Sequence, residues 1–112
     1  MPTSVAGGND GTSNDTTPVE VVPAPASSIQ RMVKSLMVEN LDTVDATVTV
    51  NLINGVATRR ISVITLSPGD LMQMNENDLV VLDTTDKSMS IVLSGATTTT
   101  QLDWCVAWMD IG

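Results

Sequence analysis

Carboxylates and one thiol carry most of the acid–base or nucleophilic chemistry open to this 112-residue chain. It has thirteen Asp and Glu, a single cysteine and no histidine. The missing imidazole removes the commonest general base, the commonest metal ligand, and the Ser–His and Cys–His nucleophile pairs. Three carboxylate pairs are spaced closely enough to share work: Asp42/Asp45, Glu76/Asp78 and Asp83/Asp86. Paired loop carboxylates can act as acid and base, or bind Ca²⁺ together with backbone carbonyls. None of the three follows the twelve-residue calcium-loop spacing, and Asp is an ordinary β-turn residue because its side chain bonds its own backbone. Cys105, between Trp104 and Val106, has no neighbouring base to activate it and reads as an inert small residue facing a sheet or an interface. Gly7-Gly8 and Asn9-Asp10-Gly11 lack the spacing and the lysine of a phosphate loop. The expectation is a protein with no catalytic residue, no metal ligand and no cofactor.

The elements that hold these residues read as strands. Thr, Val and Ile are abundant, Phe and Tyr are absent, and two Trp with seven Met must supply the bulk of an otherwise aliphatic interior. In ATVTVNLIN (46–54), Val48, Val50 and Leu52 alternate with polar residues, and Asn54-Gly55 then predicts a type I′ hairpin turn. The return strand, 57–66, slips phase between Ile61/Val63 and Ile64/Leu66, which predicts a bulge or burial on both faces. Ser67-Pro68-Gly69-Asp70 predicts a type II turn. Further strands are expected at 31–41, 71–74, 79–82 and 89–93. The last strand carries Leu102, Trp104, Val106 and Trp108 on one parity, after a mobile loop over 94–100. No apolar face repeats at helical spacing. The pattern predicts an all-β, antiparallel β-sandwich of jelly-roll-like type with seven to eight short strands.

Residues 1–27 differ from the rest. They are rich in Gly, Ser, Thr, Asn, Asp and Pro, with one apolar island at Val19–Val22 between Pro18 and Pro23. The reading is an extended, flexible N-terminal arm attached to a β-sandwich domain over 28–112, with the island extended or at a sheet edge. Fully stretched, twenty-seven residues reach roughly 90 Å. The net charge of −8 argues against a nucleic-acid partner, because phosphate binding needs Lys and Arg. Arg59-Arg60 and Arg31/Lys34 read as solvated charge on strand faces. No apolar run approaches a membrane span, and no basic-plus-apolar leader is present, so synthesis in a host cytoplasm is expected.

One longer match adds to this. The stretch from Val21 to Asp83 resembles small virion proteins of tailed bacteriophages in its order of motifs. A VKSLxVxNxD strand (Val33–Asn40 and onward) comes first, then an ATVTVxL strand (Ala46–Leu52) and a hairpin with Gly55. The turn of a TLxPGDxL pattern, matched over Thr65–Leu71, and a VLD strand (Val81–Asp83) follow. The resemblance implies a decoration (cement) or head-accessory protein: a homotrimer on the capsid surface, with the major capsid protein as partner and an arm laid across neighbouring subunits. Within that picture the arm contacts fall on Val19, Val21, Val22, Pro23 and Pro25, and the oligomer contacts on Trp108, Met109 and Ile111. A neck or tail accessory, or a fibre module binding a receptor or glycan, is the alternative. Its sugar sites would need exposed aromatics, of which the sequence offers two.

Overall fold

The computed structural model describes residues 4–75 and 80–112. The Glu76/Asp78 pair and Leu79 lie outside the described residues. Among the described residues nine strands follow one another: β1 (Ser4–Ser13), β2 (Val19–Val22), β3 (Gln30–Asn40), β4 (Ala46–Asn54), β5 (Ala57–Leu66), β6 (Leu71–Met74), β7 (Val80–Leu82), β8 (Lys87–Leu93) and β9 (Leu102–Ile111). They form two antiparallel sheets. One has the order β1-β9-β3-β6, with β7 also on β3; the other runs β2-β8-β4-β5. β6 lies along Leu36–Glu39 and β7 along Arg31–Val33, so the two are halves of one interrupted edge strand. Counted that way there are eight strands, paired first with last (β1·β9), second with next-to-last (β2·β8), and so inward to the β4·β5 hairpin. That winding, a long hairpin rolled into two facing sheets, is the jelly roll.

Alternation explains the core. Val48 and Val50 on β4, Leu36 and Val38 on β3, Ile91 on β8 and Leu102 on β9 point between the sheets and are buried. Each such side chain contributes about 1.5–3 kcal/mol relative to exposure. The phase slip in β5 is a bulge. Val50 faces Ser62 and Asn51 faces Arg60, which leaves Ile61 as the extra residue. At 67–70 the Asp70 amide donates to the Ser67 carbonyl at 2.9 Å and Gly69 has φ +85°, the type II geometry expected there. At the β4–β5 hairpin the central residues are Gly55 and Val56. Gly55 alone has positive φ (+61°), so the turn follows the II′ pattern and not I′.

One expectation about the arm is corrected. Residues 4–13, read as part of a flexible arm, form β1 and pair residue for residue with β9 from Ser4↔Ile111 to Ser13↔Leu102. A polar, glycine-rich strand shows no apolar alternation, yet backbone hydrogen bonds at a sheet edge need none. The island at Val19–Val22 is strand β2, at a sheet edge as its flanking prolines predict. A register shift between Glu20 and Val22 lets the consecutive residues Val21 and Val22 both face inward, where both are fully buried.

Candidate interaction surface

Of the polar residues that sequence spacing singled out, Asp42 and Arg31 hold the sandwich together at its two ends. At one end Asn40 is fully buried and fully bonded. Its Nδ2 donates to the Val44 and Leu66 carbonyls, both at 2.9 Å, while its Oδ1 accepts the Asp42 amide at 2.9 Å. Asp42 is buried too. Its carboxylate accepts the amides of Thr98 (2.7 Å), Thr99 (2.8 Å), Thr100 (3.2 Å) and its own neighbour Thr43 (2.9 Å). These donors, Thr98 first, hold the carboxyl at about 2, below its ordinary value, against the opposing effect of desolvation. The 94–100 loop, expected to be mobile, is therefore clasped from 98 to 100. Asp45 lies beside Asp42 around a small cleft of about 70 Å³ but joins none of these bonds. Asp83 accepts Lys87 Nζ at 2.8 Å, which lowers its carboxyl. Among the described residues no group of carboxylates and thiol is arranged to hold a metal ion.

At the opposite end Arg31, read as solvated strand charge, is a clasp between the sheets. Its Nε and Nη2 donate to the two oxygens of Asp110 on β9 at 2.8 and 3.0 Å. Its Nη1 donates to the carbonyl of Pro23, just past β2, at 2.8 Å, and the guanidinium lies 4.7 Å over the Trp108 ring. Bidentate pairing and stacking both require the planar guanidinium.

The eight expected contact residues thus divide. Val21, Val22 and Pro25 are buried within the chain, so in this conformation they are not offered to a neighbour. For Val21 and Val22 the cause is the inward pairing of β2 on β8. Trp108 is half-buried between Arg31 and Gly7, where a Cβ would stand 2.5 Å from its Nε1. Val19 and Pro23 are half-buried at the β2 edge; Met109 and Ile111 are half-buried on β9. Cys105 faces outward and is exposed. It forms, with Met37 and Leu71, the apolar floor of a shallow depression of about 310 Å³ edged by Asp10, Glu39 and Asp103.

A different set of residues stands free. Every exposed large apolar residue located on a described strand sits at a sheet edge: Val5 on β1, Val63 on β5, Leu71 on β6 and Val81 on β7. Val63 is 47% exposed and Leu71 51%. Leu41, Val44 and Val56 add apolar side chains at turns. Sequence reasoning missed this set because an edge strand shows the same alternation as a central one. The clasping role of Arg31 was also missed. The spacing of Gly7 and Gly11, matched to that of Trp104 and Trp108, was a signal that could have placed β1.

No known protein family matches the chain, and no curated protein is similar to it in sequence. Solved structures share its fold. A chain from Bacillus endospore appendages, a family of disulfide-linked pili, has a TM-score of 0.59 at 14% identity over 98% of this chain and 87% of that one. A chain of infectious bursal disease virus, Gx strain, gives 0.52 at 14% identity over 99% of this chain, which spans 33% of the viral one. The Drosophila NLP core, studied for pentamer formation and histone binding, gives 0.53 at 13% identity over 98% of both. Chains from a virus and from pili are therefore among the structural neighbours, and at these identities the likeness is one of fold.

Proposed function

We propose that the chain is a structural subunit of a virus particle, a decoration protein of the tailed-phage type that stabilises the capsid from its surface. It docks on the major capsid protein, and on copies of itself in a trimer, through sheet edges and not through a free arm. The observation that carries this reading is the placement of exposed apolar side chains on the edge strands β1, β5, β6 and β7. An edge offers unpaired backbone donors and acceptors, and an apolar side chain beside them adds burial once a neighbouring chain approaches. Repetition over a symmetric lattice multiplies weak single contacts into firm attachment. The jelly-roll neighbours from a virus and from a pilus accord with a role in assembly. Bridging of neighbouring major capsid subunits by an arm over residues 1–27 is not part of this reading, because residues 4–13 are taken up along their whole length by pairing with β9.

The glycan-binding alternative needs an aromatic platform. Trp104 is 6% exposed and Trp108 is stacked under Arg31, so neither offers a face to a sugar. The test uses particles assembled without the protein. Added native chain should bind them and raise their heat resistance, whereas the Val63→Glu/Leu71→Glu variant should not bind. Binding by the variant equal to that of the native chain would overturn edge docking.

A further inference from the structure

The contact between β1 and β9 has an unusual division of labour. Among the described strands β1 is an edge strand bonded only to β9 within its sheet. Of its ten residues only Ser13 is buried. Its inward positions Gly7, Asn9, Gly11 and Ser13 place no apolar side chain in the core. Yet β1 covers both tryptophans. A Cβ on Gly7 would stand 2.5 Å from Trp108 Nε1, and one on Gly11 2.8 Å from Trp104 Cζ2. β9 therefore depends on a covering strand with glycine at two positions four apart. β1 itself gains little beyond backbone hydrogen bonds. Two buried polar atoms at this seam, Trp104 Nε1 and Ser13 Oγ, have no hydrogen-bond partner among the described residues.

We infer that β1 is an exchangeable strand, and that in the assembled protein residues 4–13 of one copy cover the Trp104/Trp108 edge of another. The occupant is fixed by the sequence. Gly7 and Gly11 are the only two glycines four residues apart in the chain, so a second copy is the source of a strand that fits. Exchange preserves every β1–β9 contact, since the two copies are identical, and it adds whatever the newly apposed edges bury. Five exposed residues, 14–18, join β1 to β2 and cross from one sheet to the other. They span about 17 Å when extended. That reach confines the acceptor to a copy whose own β9 edge lies beside the donor's, which produces a closed, symmetric oligomer.

This inference stands apart from the virion reading, since an exchanged oligomer that ignores every particle leaves it intact. The register supplies its test. Asp10 is the Cα partner of Cys105, the one cysteine. Directly opposed residues of antiparallel strands are about 4.5–5.5 Å apart at Cα, within disulfide range. An Asp10→Cys/Cys105→Ser chain, unfolded and refolded with the unmodified chain under mild oxidation, can form a 10–105 disulfide only between copies. The expected result is an interchain disulfide at least tenfold above a Thr58→Cys/Cys105→Ser control, with light scattering giving a mass of two or more chains for the unmodified protein. Three results would overturn the inference: a mixed yield equal to the control while Asp10→Cys alone closes within one chain, no disulfide in either experiment, or a monomer at every concentration.

Discussion

The Asp42 carboxylate accepts the Thr98 amide at 2.7 Å across 56 positions of sequence, and in doing so fixes the loop between β8 and β9 to the corner after β3. Four backbone amides converge on this one side chain. Removing it leaves donors without an acceptor, so Asp42→Ala should lower the melting temperature and abolish hydrogen-exchange protection at Thr98–Thr100 first. Unchanged protection there would contradict the clasp.

The same carboxyl sets a pH dependence. Its folded pKa is about 2, against an ordinary value of 3.8. The group is depressed on folding, so its contribution is complete above about pH 4–5. That contribution is lost as pH falls from 3.8 through 2, where the unfolded chain binds the proton first. Stability measured by urea unfolding should fall across that window in the native chain, and the fall should be shallower in Asp42→Asn.

Gly11 and Gly7 should resist any side chain. Gly11→Val drives a branched side chain into the Trp104 indole, and overpacking of this kind costs about 1–3 kcal/mol. β1 should lift, and tryptophan emission should shift to the red as the indoles meet water. A Gly11→Val chain with native emission and native stability would contradict the Gly–Trp seam.

Arg31→Lys keeps the charge but loses the fork on Asp110 and the face-on contact with Trp108. The Arg31 side chain is 13% exposed, so the loss should reach about 1.5–3 kcal/mol, the range for hydrogen bonds to charged groups. A double-mutant cycle with Asp110→Asn should return coupling between the two positions. A cycle with no coupling would contradict the clasp.

The fold was largely written in local patterns, and the interaction surface was not. Val48, Val50 and Leu52 announce β4 by alternation, Pro68-Gly69 announces its turn, and the Ile61 bulge shows as a phase slip. β1 escaped because its partner lies about a hundred residues away and its own side chains are too small to alternate. Asp42 read as a turn residue because nothing near it in sequence reveals that Thr98–Thr100 will be its donors. Nothing in the spacing around Val63 and Leu71 marks them as edge residues; the order β2-β8-β4-β5 and the place of β6 beside β3 do. Edge position is a property of topology, which short-range spacing does not encode.

Cryo-electron microscopy of purified particles carrying the protein tests the structural-subunit reading most directly. Ordered jelly-roll density should appear on the capsid surface in symmetric groups, with β5 or the β6/β7 edge against the major capsid protein. Particles without such density, or density only at a fibre tip with the capsid surface bare, would contradict the account.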